Sequence, residues 1–279
     1  METKNKAIIA CRLCKKKKLE KIFEFGLIPL GNNLQLNKQD SQNVERYPLC
    51  IMRCLNCSHF QLNFSVDPYL LYKKNYTYLS GIGKSFKEHL EKFASDVMKF
   101  YSELGANKKA DVVDIGSNDG TALSFFRELG CKVQGIDPAI EPAKLANERN
   151  INTINKFFSY GLAKKIKKNN TIPDIIISHN VLAHVEDLDD VFLGIHYLLK
   201  DRGLFVFEIG YFGDLVSKNI YDTIYHEHLD YHSKIPLSNY LIDKGFSVKK
   251  ISQNKVQGGT VRFYCYKEKK SKIYPNVLK

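Results

Sequence analysis

The chain has 279 residues, room for one ordinary α/β domain plus a smaller module, which excludes a peptide-like scaffold and a large multidomain machine. With 44% hydrophobic and 12% aromatic residues and only 8 prolines, it can bury enough apolar surface to fold, so a disordered or collagen-like polymer is excluded as well. The formal net charge of +12 raises the question of a polyanion surface, but the lysines are scattered over Lys15 to Lys18, Lys164 to Lys168 and Lys267 to Lys272. They are not interleaved with aromatics on one element, which describes a solvated basic surface rather than a nucleic-acid groove.

No run of eighteen apolar residues occurs, so no membrane span is expected. The apolar run Ala7 to Ala10 before Cys11 is too short for a signal h-region, which gives a cytoplasmic expectation. In that reducing compartment the 7 cysteines are read as metal or core chemistry rather than disulfides. Cys11-Arg-Leu-Cys14 and Cys54-Leu-Asn-Cys57 form two C-x-x-C knuckles 39 residues apart. Together they complete the tetrahedral four-thiolate shell that Zn²⁺ accepts. Such a shell has no open position, so its role is structural: it holds residues up to about Asp67, and zinc affinities of roughly 10–16 kcal/mol suffice for that. Cys50 and His59 are the alternative ligands by proximity. Cys131 and Cys265 lie in apolar runs and read as buried thiols.

From Ser80 to Leu104 the residues Ile82, Phe86, Leu90, Phe93, Val97, Tyr101 and Leu104 recur every three or four positions, predicting a long amphipathic helix that links two modules. After Gly105 short β-rich runs alternate with helical ones. Strands are expected at Ala110 to Ile115, Lys132 to Ile136, Asp174 to Ser178 and Leu204 to Ile209, with helices around 121–129, 142–149, 160–168 and 188–199. This repetition predicts a parallel doubly wound sheet. A helix near Leu237 to Lys244 and strands at Phe246 to Ser252 and Gly259 to Tyr266 would close it with an antiparallel hairpin.

The first strand runs into Asp114-Ile-Gly116-Ser117-Asn118-Asp119-Gly120, where the glycines allow a tight turn beside a helix N-terminus. Gly135-Ile136-Asp137-Pro138 ends the next strand, placing a carboxylate about twenty residues on, where ribose hydroxyls would be held. The combination resembles the S-adenosylmethionine loop of class I methyltransferases. Asn118 stands where the middle glycine is usual, a departure that also argues against a nicotinamide cofactor.

Between Leu204–Ile209 and the last helix lies an insert, 211–235, carrying Tyr225-His226-Glu227-His228-Leu229-Asp230-Tyr231-His232. His228 and His232 have i, i+4 spacing, but Leu229 occupies the glutamate position of H-E-x-x-H, so a metalloprotease site does not fit. General acid/base chemistry or a loop of satisfied polar groups both remain open from the residues alone.

The whole chain from Cys11 to about Tyr266 is similar to the zinc-containing sugar-nucleotide C-methyltransferases of deoxysugar biosynthesis. The likeness rests on the two knuckles, Tyr76-Thr-Tyr78-Leu-Ser80-Gly81, the glycine loop, Asn180-Val-Leu-Ala-His184, Tyr225-His-Glu-His228 and Gly258-Gly-Thr-Val-Arg262. The resemblance implies an α/β class I methyltransferase Rossmann-like sheet with an N-terminal four-cysteine zinc module. The corresponding divisions are a zinc module at 1–75, a linker helix region at 76–105 and an S-adenosylmethionine-binding domain at 106–279. It further implies Asp114, Gly116, Ser117, Asn118, Asp119, Gly120, Asp137, Pro138 and Asn180 at the cofactor, and His228 as the base removing the proton next to a ketone. Tyr225, Glu227 and His184 would orient it, bind the sugar or stabilise the enolate, Tyr76 and Tyr78 would close over the pocket, and His226 would support structure.

Family members usually continue into a second α/β domain that grips the nucleotide, whereas this sequence stops at Lys279. Three accounts stay open: a separate chain supplies that half, the nucleotide-sugar is gripped differently, or the protein is a weakly active short member. An RNA base methyltransferase with a zinc module and a non-catalytic cofactor- or partner-binding module are the alternative functions. The Tyr-His-Glu-His run speaks against the first.

Overall fold

The computed structural model describes residues 5–72, 76, 78–105, 109–169, 171–268, 271–274 and 277–278. Thr77 of the tyrosine segment, Lys269 and Lys270 of the basic tail, and the expected boundary positions 75 and 106 lie outside the described residues.

The N-terminal region consists of β1 (Lys6–Ala7), β2 (Leu19–Pro29), α1 (Lys38–Gln42), β3 (Arg46–Cys54), β4 (Phe60–Leu62), β5 (Phe64–Ser65) and α2 (Pro68–Tyr72). Helix α3 (Lys84–Glu103) follows. Its start lies four residues beyond the expected Ser80; the Ser80 and Gly81 amides before it donate to the side chains of Asn118 and Asp119. Accordingly Ile82 and Leu104 of the expected stripe are exposed, while Leu90, Phe93, Ala94 and Val97 are buried.

The alternating region then gives β6 (Asp111–Ile115), α4 (Thr121–Glu128), β7 (Lys132–Ile136), α5 (Ile140–Glu148), β8 (Thr153–Ile154), α6 (Tyr160–Lys168), β9 (Ile175–His179), α7 (Leu188–Leu198) and β10 (Leu204–Gly210). The insert holds α8 (Phe212–Ser217) and β11 (Asp230–Tyr231), and α9 (Lys234–Asp243), β12 (Phe246–Asn254) and β13 (Thr260–Lys267) complete the chain. The main sheet has the order β12-β13-β10-β9-β6-β7-β8. Strands β10, β9, β6, β7 and β8 are parallel, and β13 runs antiparallel to β10 and β12.

The near-continuous apolar strands are buried on both faces, as parallel strands under two helical layers must be. Val112, Ile175, Ile177, Leu204 and Val206 pack with Phe93 of α3 and Phe126 of α4. Val113, Ile176, Phe205 and Phe207 point the other way, onto Phe192 of α7 and Phe246. Arg262 of the Gly-Gly-Thr-Val-Arg run clamps α3 to this sheet: its Nε donates to Glu208 Oε1 at 2.5 Å and its Nη1 to Asp96 Oδ2 at 3.2 Å, with the guanidinium 4.5 Å from the Phe93 ring centroid.

The second sheet, β11-β4-β3-β2, joins segments from opposite ends of the sequence. Insert strand β11 pairs antiparallel with β4, Asp230 facing Gln61 and Tyr231 facing Phe60. The small apolar cluster beneath it, Leu49, Ile51, Leu62, Leu229 and Tyr231, is likewise drawn from both. At the seam Arg12, inside the first cysteine knuckle, donates through Nε to both carboxylate oxygens of Asp230 at 3.0 and 2.9 Å. Its Nη1 reaches the Glu186 carbonyl at 3.0 Å, its Nη2 the Val185 carbonyl, and its amide the Gln61 side chain at 2.7 Å. His59 Nε2 lies 2.8 Å from the same carboxylate.

Burial alone would raise the Asp230 pKa, but Arg12 and His59 hold it well below the ordinary carboxylate range. The pair is almost wholly desolvated, with side chains 8% and 0% exposed, so removing one partner strands a buried charge. Arg12→Met is therefore expected to cost about 3–5 kcal/mol, read as a lower urea midpoint; a loss under about 1 kcal/mol, the scale of an exposed pair, would contradict this.

Candidate functional site

The two knuckles fold alike. Lys15 N–H donates to the Cys11 carbonyl and Ser58 N–H to the Cys54 carbonyl, each at 2.9 Å, and Lys15 and Ser58 both sit at φ 61°. These matched turns aim four thiols at one point. Cys11 and Cys57 Sγ are 3.6 Å apart, Cys14 and Cys54 Sγ 3.5 Å, and all four lie within 4.8 Å of one another. A tetrahedron with Zn–S near 2.3 Å has edges of about 3.8 Å, so the set fits zinc, which would cross-link the knuckles without taking part in chemistry. The two alternative ligands are corrected: Cys50 Sγ rests on Met52 Sδ, and His59 gives its imidazole to Asp230. Cys131 and Cys265 are buried away from the cluster.

A cavity of about 790 Å³ runs from the β6–α4 loop to the insert. Gly116, at φ 77°, forms part of its floor, and a Cβ there would come within 2.2 Å of Val181 Cγ2. The loop is thus a cradle that only glycine permits. Buried Asp114 Oδ1 and Ser117 Oγ have no protein partner, as expected of groups that await a ligand. Burial, with Asp137 alongside, pushes the Asp114 pKa well up. Asp137 sits at the end of β7, its carboxylate accepting from Asn118 N–H and Ala139 N–H at 2.8 Å each. Desolvation outweighs those donors and moves its pKa up to about 6.

Pro138 and Asn180 also line this end, whereas Asp119 and Gly120 do not. Asp119 instead accepts from Thr121 Oγ1 at 2.7 Å and meets Arg149 Nη1 at 3.3 Å, securing the start of α4. A cradle with orphaned polar atoms and a carboxylate at the next strand end fits S-adenosylmethionine.

At the other end of the same cavity stand Tyr225, Glu227, His228 and His184. The insert residues are carried there by the β4–β11 pairing, and His184 by the turn after β9. His228 Nδ1 is 2.7 Å from the Thr223 carbonyl, which can only accept, so Nδ1 carries the proton and Nε2 the lone pair. Tyr225 Oη lies 3.3 Å from that Nε2. Burial, partly offset by the Thr223 carbonyl, lowers the His228 pKa and keeps the ring neutral. The His184 ring packs edge-on at 4.8 Å, and burial, with repulsion from His228 whenever that ring is protonated, lowers its pKa too.

Glu227 accepts from Asn32 Nδ2, and burial raises its pKa despite that bond. Tyr76 and Tyr78 border the cavity, their rings 6.5 Å apart. His226 is buried against the N-terminal module, with Nε2 3.2 Å from the Tyr47 carbonyl. Two wall residues went unseen in the sequence. Tyr72 Oη lies 2.9 Å from His184 Nδ1 and donates to the Glu227 carbonyl at 3.1 Å, and Asn32 holds Glu227. The tyrosine density of 69–78 is a signal for the first; nothing local marks the second.

The profile of the family described as "Methyltransferase domain" matches residues 86–251, more than half of the chain. The chain belongs to this methyltransferase family. A second profile, described as "Putative zinc binding domain", matches residues 11–72. The methyltransferase is 30% identical over 251 residues to C-methyltransferase NovU of Streptomyces niveus, covering 90% of this chain and 59% of that protein. It therefore spans less than two thirds of that relative's length.

Among solved structures it resembles PH0226 protein from Pyrococcus horikoshii OT3, with TM-score 0.53 and 16% identity over 69% of this chain and 95% of that one. Magnesium protoporphyrin IX methyltransferase from Synechocystis PCC 6803 with bound SAH gives TM-score 0.51 and 16% identity over 67% and 89%. At that identity the likeness establishes the fold, a class I methyltransferase sheet. No helix among the described residues is long and apolar enough to cross a membrane. Metal analysis of the purified methyltransferase is expected to find about one zinc per chain, and Cys54→Ser to remove most of it and open residues 11–67 to proteolysis. Undiminished zinc in that variant would contradict the assigned ligands.

Proposed function

We propose that the chain is an S-adenosylmethionine-dependent C-methyltransferase acting on the carbon beside the ketone of a nucleotide-linked 4-keto-deoxysugar. The observation that carries this reading is that one cavity is walled at one end by the Gly116 cradle and Asp137 and at the other by a neutral imidazole, His228. The activity in the relative's name supports methylation at carbon. The order of the tyrosine, glycine-loop, His184 and Tyr-His-Glu-His motifs supports the acceptor class.

Asp114, Ser117 and Asp137 would hold S-adenosylmethionine, which would supply an electrophilic methyl group. A C–H acceptor, unlike a hydroxyl or amine, must be made nucleophilic, so the protein has to take a proton from it. His228 does this through Nε2, because donation from Nδ1 to Thr223 fixes that tautomer. Tyr76 serves as a donor to the oxygen on which enolate charge develops, joined by Tyr225 when its hydroxyl turns from Nε2 to that oxygen and frees the base. Burial first and the Glu227 charge second keep both phenols protonated far above neutrality. Glu227, fixed by Asn32, accepts hydrogen bonds from sugar hydroxyls. His184, held through Tyr72, packs on the edge of the base and keeps its ring in place.

The test is incubation with labelled S-adenosylmethionine and a panel of 4-keto-6-deoxy nucleotide sugars; absence of label in every member contradicts the acceptor class. His228→Ala should lower turnover about 10²–10⁴-fold, the worth of a positioned base, while S-adenosylhomocysteine affinity in calorimetry stays nearly constant. Retained turnover would remove the base. Because burial depresses the His228 pKa, the base remains unprotonated at pH 6.5. The acid limb of kcat/KM is expected below pH 6.5, and a limb above it would contradict the tautomer and burial argument.

A further inference from the structure

Asn118 occupies the position where a glycine would suffice for the turn, since its φ of 51° lies in the left-handed region that asparagine tolerates. Its side chain does not hang into the cavity unpartnered. Nδ2 donates to the Tyr78 carbonyl at 3.0 Å, and Oδ1 accepts from the Ser80 amide at 2.9 Å. The carboxamide thus pairs with residues 78 and 80 as a strand neighbour would. Its own amide, meanwhile, donates to Asp137 Oδ2 at 2.8 Å. One residue therefore bridges the carboxylate at the donor end and the tyrosine strap that borders the cavity.

The rest of the strap is anchored in the same direction. Gly81 N–H donates to Asp119 Oδ2 at 3.2 Å, and a Cβ on Gly81 would come within 2.6 Å of Thr121 Oγ1, so the strap lies directly on the start of α4. Tyr78 Oη accepts from Gln257 Nε2 at 3.2 Å, and Gln257 Oε1 in turn accepts from Asn180 Nδ2. Gln257 stands at φ 50°, an uncommon conformation for a long side chain. Asp119, which does not line the cavity, thereby acquires a role: it holds the strap and α4.

We infer that Asn118 is a positioning residue that couples donor binding to the tyrosine strap, its side chain serving residues 78–80 rather than the methyl donor. The inference rests on the reading of the Asp137 end as the donor site. A ligand that stiffens the Asp137–Asn118 bond lowers the freedom of the strap, and by reciprocity an ordered strap favours that ligand. Asn118→Gly is a clean probe, because glycine keeps the backbone turn and removes only the carboxamide.

The experiment is amide hydrogen exchange at residues 78–81 in wild-type, Asn118→Gly and Asn118→Asp proteins, without and with S-adenosylhomocysteine, alongside calorimetry of that ligand. In the ligand-free Asn118→Gly protein, Ser80 exchange is expected to rise about tenfold while the β6 amides stay protected. Asn118→Asp retains the acceptor for Ser80 but turns a carboxylate oxygen toward the Tyr78 carbonyl, so Ser80 exchange is expected between the wild-type and Asn118→Gly rates. S-adenosylhomocysteine should slow Ser80 exchange about fivefold in the wild type and leave it unchanged in Asn118→Gly, where affinity falls by about the same factor.

Two results overturn the inference: Ser80 exchange unchanged in Asn118→Gly, or slowing by the ligand that persists in Asn118→Gly. The ligand-free arm reads the strap whatever the cavity binds. Failure of the wild type to bind S-adenosylhomocysteine would instead strike the proposed function.

Discussion

The salt bridge between Arg12 and Asp230 is the constraint on which the arrangement of the site depends. Arg12 lies between the cysteines of the first knuckle, Asp230 lies two residues beyond His228, and the guanidinium also holds the carbonyls of Val185 and Glu186, next to His184. A single desolvated cation thus relates the metal knuckle to both imidazoles of the cavity. Asp230 extends the linkage through its own amide, which donates to the Ala183 carbonyl at 3.2 Å. The ion pair alone is weak evidence of stability, because desolvation offsets most of its attraction. Its value lies in geometry: neither charge can move without leaving the other buried and unpaired. Zinc, at roughly 10–16 kcal/mol, contributes more to stability, and it fixes the backbone from which Arg12 projects.

The N-terminal module is therefore better described as the back wall of the site than as an appended domain. Its apolar cluster is small and is shared with the insert. The insert in turn has only the two-residue strand β11 and the short helix α8. Each needs the other to bury its apolar face, and the metal compensates for the core that neither can build alone. Burial at this seam and in the cavity keeps His184 and His228 neutral, the state in which an imidazole can accept a proton.

Much of the fold was legible because its signals are local. Apolar runs such as 111–115 and 204–209, the glycine loop and the C-x-x-C spacing each reflect short-range geometry that sequence displays directly. Strand β8, two residues long, carries too little pattern to register. What could not be read was long-range: the pairing of Asp230 with Gln61, the reach of Arg12 across 218 positions, and the placement of Tyr72 and Asn32 on the cavity wall. Asn118 shows the same limit in one residue. In sequence it is only a departure from a glycine pattern, and the folded chain alone reveals the strap that its carboxamide holds. His59 illustrates the opposite error, since adjacency to a knuckle suggests a ligand while a carboxylate far along the chain claims its ring.

The most direct measurement is a crystal structure with S-adenosylhomocysteine bound. The account predicts the ribose at Asp137 and the sulfur opening onto the same space as the His228 ring, with Nδ1 still on Thr223. A ligand bound elsewhere, or a sulfur walled off from His228 by protein, would contradict it.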